Sequence, residues 1–265
     1  MPTLTDQLTR CWASYRQGML ADVARGVRVA HELYREELPS LGATDAANAT
    51  VELAMLDVTV GMVTAEGVDE VVQGSRLLAE MVTDPKASCD DLHRLAALAT
   101  AVHAAMRAAR FGIAEQHFRA ALAMAQGLLA EDAGMADVCT VLGCAGLHLA
   151  QAAALGRDEK TTRALLHQSD QTAVELGIEH VVFGHYFGPQ HVRATRSICL
   201  AMLGNFDEAL EEGRAVDVDR LMPLMAATLL RALAEMSERV EQRGAAAVMR
   251  SRADQLVPPL RQQFG

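Results

Sequence analysis

Apolar side chains recur at i, i+3, i+4 and i+7 along almost the whole chain. That period belongs to helices buried along one face, so the pattern predicts an all-α protein in which nothing reads as strand. Short breaks punctuate it at "QGMLADVARG", "AEGVDEVVQG", "RFGIAEQHFRAA", "LGRDEKTTRALL", "LGNFDEALEEG" and "QRGAAAVMRSRA". Each carries a marker glycine between two amphipathic runs: Gly18, Gly67, Gly112, Gly156, Gly204 and Gly244, spaced 40 to 49 residues apart. A helix that stops and reverses needs a residue tolerant of positive φ, and glycine supplies it. Pro39, Pro85, Pro189, Pro258 and Pro259 fall at predicted helix starts and ends. The expected architecture is a single helical-repeat domain over residues 1–265. It is a tetratricopeptide-like right-handed superhelix of about six antiparallel helical hairpins. The spacing exceeds the tetratricopeptide period of about 34 residues, so helices or connecting loops are longer than standard.

Composition narrows the picture. Apolar residues make up 51% of the 265 positions and charged residues 22%, enough apolar surface to fold rather than stay disordered. The formal net charge is −10, which disfavours sequence-independent binding to nucleic acid. Lys86 and Lys160 are the only lysines. Cys11, Cys89, Cys139, Cys144 and Cys199 are odd in number and scattered, so they read as free thiols of a reducing, cytoplasmic protein. The start, "MPTLTDQLTRCW", lacks a basic-then-apolar leader pattern. The apolar run "GCAGLHLAQAAALG" is too short for a membrane span and is interrupted by His148 and Gln151.

Candidate chemistry concentrates in two places. Residues 185–192, "HYFGPQHV", place His185, Tyr186 and His191 around Phe187-Gly188-Pro189. The Gly-Pro pair reads as a helix entry with proline at the first helical position, stapled into the core by Phe187. The spacings between His180, His185 and His191 suit no metal motif, and Glu179 is the one nearby carboxylate, so neither metal nor cofactor is expected. The second set comprises polar residues within apolar runs: Glu52 and Asp57, His103 and Arg107 four apart, His148 and Gln151 three apart, Arg193 and Arg196. They fall on the first helix of their hairpins, the helix that lines the concave surface of such arrays. Glu52, His103, Arg107, His148, Gln151, His185, Tyr186, His191 and Arg193 are therefore the candidate ligand-binding residues. The thirteen methionines, Met202, Met222, Met225 and Met236 among them, suit core filling or an adaptable pocket. No GxxxxGK[ST], GxSxG or HExxH motif is present.

The segment "VCTVLGCAGLHLAQAAALGRDEKTTRALLHQSDQTAVELG", with "HYFGPQHV" and "AMLGNFDEALEEGRAVDVDRL", resembles the C-terminal repeat half of actinobacterial helix-turn-helix transcriptional regulators. Phe187, Gly188, Pro189 and Val192 match a helix-entry motif of that family. Leu203, Gly204, Ala209 and Leu210 match its turn, and Val216 and Asp217 its exit. The match spans residues 135–225, and no DNA-binding helix-turn-helix accompanies it. The resemblance implies a regulatory sensor domain. Three readings stay open at this point: a module binding a small molecule or peptide, an enzyme using His185, Tyr186 and His191, or a protein–protein scaffold. The expected partners exclude direct nucleic-acid and membrane binding by this chain and allow a homodimer through an end hairpin.

Overall fold

The computed structural model describes residues 2–64, 68–84, 88–130 and 134–258. Gly67, Pro85, Lys86 and Pro259 lie outside the described residues. The helices are α1 Leu4–Arg16, α2 Leu20–Glu37, α3 Ala43–Thr64, α4 Val68–Thr83, α5 Asp91–Arg107 and α6 Phe111–Ala130. They continue with α7 Met135–Leu155, α8 Glu159–Leu176, α9 Pro189–Leu203, α10 Phe206–Arg214, α11 Pro223–Arg239 and α12 Arg243–Leu256. Each odd-numbered helix packs on the even-numbered helix that follows it, giving six consecutive hairpins. The fold is an all-α helical repeat.

One turn recurs in five of the six hairpins. At each, a residue in the left-handed region is followed by an amide that bonds back five residues. The left-handed residues are Gly18, Ala109, Arg157, Gly204 and Glu241, at φ 71°, 54°, 61°, 94° and 62°. The returning bonds run from Met19 to Ser14, Arg110 to Ala105, Asp158 to Ala153, Asn205 to Leu200 and Gln242 to Ser237, at 2.8–3.0 Å. The marker glycines thus locate the turns but supply the left-handed residue only at Gly18 and Gly204. Gly156 caps α7 in the right-handed region, and Gly112 and Gly244 are already inside α6 and α12. Side-chain-bearing residues take the strained position at three turns, a cost the repeat's packing absorbs. Gly204→Ala is expected to lose about 1 kcal/mol and lower the melting temperature by roughly 2–4 °C, and Glu241→Gly to shift it the opposite way. Thermal denaturation followed by circular dichroism reads both.

The odd helices form an inner layer. α1 contacts α3, α3 contacts α5, and the sequence continues through α7 and α9 to α11. α11 in turn touches α1. At the same seam Val257 packs so closely on the first turn that a Cβ on Gly18 would lie 2.5 Å from it. The inner helices therefore make a closed ring of six. α5 and α7 are the most deeply buried, with runs such as Leu95–Ala99 and Val141–Leu147 rich in alanine and glycine that let neighbouring backbones approach. α7 is long and apolar enough to cross a membrane, contrary to the expectation from the shorter run within it. Its apolar surface is instead taken up by α5, α6, α8 and α9.

The second departure from expectation is a strand pair. β1 (His180–Val182) and β2 (His185–Phe187) form an antiparallel hairpin between α8 and α9. Its two-residue turn, Phe183-Gly184, has positive φ at both positions, 45° and 76°. That is the type I′ geometry matching the twist of paired strands. Phe183 is an unusual residue for it, and its ring is held against the His93 imidazole, 4.5 Å between centroids. The hairpin tip reaches across the ring, where a Cβ on Gly184 would lie 2.7 Å from the Trp12 ring.

Candidate functional site

The six inner helices and the β-hairpin line a cavity of about 340 Å³ that opens to solvent past Arg107 and Thr228. α1 contributes Trp12 and Tyr15, α3 Thr59 and Met62, and α5 Thr100, His103, Met106 and Arg107. Cys144, His148 and Gln151 come from α7, His185 and Tyr186 from β2, His191 from α9, and Met225, Thr228 and Arg231 from α11. Among the described residues on this wall there is no Asp or Glu.

Seven of the nine candidate residues line it: His103, Arg107, His148, Gln151, His185, Tyr186 and His191. Glu52 and Arg193 do not. Arg193 lies two positions past His191 on α9, so its side chain leaves the helix on nearly the opposite side and pairs with Glu212. Glu52 shares a face of α3 with Thr59 two turns away, but the β-hairpin lies between them. Its carboxylate accepts the Trp12 indole N–H at 2.7 Å and lies 3.9 Å from His93, whose other ring nitrogen meets Asp90 at 2.8 Å. Glu52, Trp12 and His93 line a separate hollow beyond the hairpin, with Arg16, Asp45 and Asn48.

Four imidazoles crowd the cavity. The His103 and His148 rings stack with centroids 3.9 Å apart and planes 3° from parallel. Tyr186 and His191 stack at 4.9 Å. Burial removes water from all four histidines and disfavours their charged forms. His103, beside Arg107, falls to about 3, and His185 and His191 fall to about 4. His148 is held well below the ordinary value, by burial first and then by its neighbours His103 and His191. All four are neutral at pH 7.

Hydrogen bonds fix two tautomers. His185 Nε2–H donates to the Ala96 carbonyl at 3.0 Å, with the Thr100 hydroxyl 3.3 Å away. His191 Nδ1–H donates to the Tyr186 carbonyl. The Cys144 thiol, pushed up to about 12 by burial, receives the Tyr186 amide and lies 3.5 Å from His148 Nε2. The other ring nitrogen of His148, Nδ1, is buried without a hydrogen-bond partner among the described residues. The Tyr186 hydroxyl donates to the Arg220 carbonyl at 3.0 Å, and burial with the Glu179 carboxylate beside it raises its pKa. The three residues an enzyme would use are thus each tied to a backbone carbonyl of the scaffold. Among the described residues no group of three or more His, Cys, Asp and Glu side chains converges to hold a metal ion.

The hairpin places these groups by its sequence. Phe187 is fully buried, and its ring occupies the space a side chain on Gly143 would need. Gly188 follows where a Cβ would lie 2.6 Å from the Ile178 carbonyl. Pro189 opens α9, whose Gln190 amide is capped by Glu179 at 2.5 Å. His191 is then held one turn from Tyr186. Trp12, Tyr15, Met106 and Arg231, which also line the cavity, come from segments far apart in sequence.

No family model matches the chain, and a search of curated proteins finds no match. Among solved structures, the crystal structure of BtubC (BKLC) from P. vanneervenii is similar. Its TM-score is 0.53 at 13% identity, covering 97% of this chain and 91% of that one. The likeness is one of fold.

Proposed function

We propose that the chain is a binding module that holds a small molecule inside its ring of helices and acts as the sensor part of a regulatory system. The observation that carries the reading is the cavity itself. At about 340 Å³ it falls within the range of small-molecule sites, and mostly apolar walls surround a few convergent polar groups. Its volume, set deep between the inner helices, suits a small molecule better than a protein surface. The resemblance to the repeat half of helix-turn-helix regulators supports a role in controlling gene expression in the cytoplasm, without direct DNA contact by these residues.

Trp12 is the one tryptophan and sits on the cavity wall, so its emission reports occupancy. The test is native mass spectrometry for a retained small molecule, followed by Trp12 fluorescence and melting scans against a broad metabolite panel. A ligand present at a hundred times its Kd is expected to add about 2.7 kcal/mol of stability. That raises the melting temperature by several degrees and changes Trp12 emission. If no small molecule is retained and neither signal moves with any compound, the reading fails.

A further inference from the structure

Resting on the cavity as a binding site, we propose that it selects a ligand with an acidic group on an apolar, aromatic-sized body, and that Arg107 anchors the acid. The argument starts from charge. The chain carries 34 acidic and 24 basic residues, yet no described acidic side chain reaches the cavity wall. The formal charges there are two guanidiniums, Arg107 and Arg231. An acidic protein has placed its two cavity-lining charges, both positive, where the cavity meets solvent, with Arg107 exposed and Arg231 partly so.

The two arginines differ. Arg231 is committed, donating to the Val257 carbonyl at 2.7 Å and pairing with Asp254 at 3.1 Å. Arg107, at the last turn of α5, is exposed at the rim of the cavity and makes no hydrogen bond or ion pair among the described residues, so its guanidinium is solvated and available. Its fork of N–H donors matches a carboxylate or sulfonate in two-pronged geometry. One turn before it, His103 stacks on His148, and both rings stay neutral. They therefore offer hydrogen bonds without adding a charge that would change the selectivity. The remaining wall, with Trp12, Tyr15, Met62, Met106, Met222 and Met225, gives polarisable apolar surface for the ligand body. A cationic ligand would meet two guanidiniums and no compensating carboxylate.

A matched pair of probes tests this. 1-Anilinonaphthalene-8-sulfonate and N-phenyl-1-naphthylamine share one aromatic body, and only the first carries an anion. Each brightens on entering an apolar site. The sulfonate is expected to bind at least about tenfold more tightly than the neutral probe, a difference of about 1.4 kcal/mol. Arg107→Gln is expected to remove about that tenfold and leave the neutral probe unchanged. Thr228→Trp, which fills the cavity from an exposed position of α11, is expected to abolish both signals while the circular dichroism spectrum is retained. Equal binding of the two probes, or sulfonate binding indifferent to Arg107→Gln, overturns the acid-selective proposal and leaves the binding site standing. Sulfonate binding that survives Thr228→Trp places the probe outside the cavity and also overturns it. If neither probe binds, the acid-selective proposal for aromatic bodies falls, while the binding reading still rests on the metabolite panel.

Discussion

Lowering the pH from 7.5 to 5 is expected to destabilise the protein steeply, well before its carboxylates titrate. His103, His148, His185 and His191 are neutral in the folded state, with pKa values lowered to about 3 for His103, to about 4 for His185 and His191, and well below the ordinary value for His148. In the unfolded chain each titrates near 6.5. Between those values the unfolded state binds more protons, so stability rises with pH through that window and is lost as pH falls from about 6.5 toward 4. Each histidine contributes a slope of up to about 1.4 kcal/mol per pH unit. Four together can consume a typical stability of about 5–15 kcal/mol within two or three units. His117, buried and with no hydrogen-bond partner for Nε2 among the described residues, acts in the same direction. His93 opposes them: Glu52 and Asp90 raise its pKa, so its contribution is present at low pH and lost as pH rises through the raised value. One group does not offset five. Urea unfolding midpoints at pH 7.5, 6 and 5 are the measurement. His148→Phe is expected to flatten the slope by about one histidine's share. A midpoint that does not move between pH 7.5 and 5 would show that the imidazoles take up protons inside the folded ring.

The second large effect is expected at the contact between β2 and α7. Phe187→Ala removes a fully buried ring whose partner is the bare backbone of Gly143, and should cost about 3–5 kcal/mol. The reverse insult, Gly143→Leu, puts side-chain atoms where the Phe187 ring now lies. A Cβ alone would sit 2.5 Å from Cζ, so overpacking of about 1–3 kcal/mol or more follows. Combined, each change supplies what the other lacks. The double variant is expected to be less destabilised than the sum of the two single changes, a coupling read by urea denaturation of all four proteins. Strict additivity would mean that the hairpin detaches from α7 when either residue is altered.

These contacts explain which parts of the molecule the chain's pattern disclosed. Repeated apolar periodicity and the glycine markers are local signals, and they located the hairpins. The residue that adopts the left-handed turn is not local in the same sense: Ala109, Arg157 and Glu241 occupy it because flanking helix pairs hold them there. The β-hairpin escaped because three-residue strands give no alternation and Phe-Gly is a weak signal for a type I′ turn. On α9 the helical period separates His191 from Arg193. For Glu52 no pattern helped, since its distance from the cavity is set by a hairpin more than a hundred residues away. Trp12 and Arg231 became neighbours of the same space only through the seam between α1 and α11.

That seam changes what kind of object the repeat is. In an open solenoid each unit meets only the units beside it in sequence, and copies can be gained or lost at either end. Here the first pair meets the sixth, so the end pairs among the described residues are neighbours in space as well as ends in sequence. Removing one pair would not shorten the protein so much as break a circle. The cavity is a property of the whole circumference rather than of any repeat.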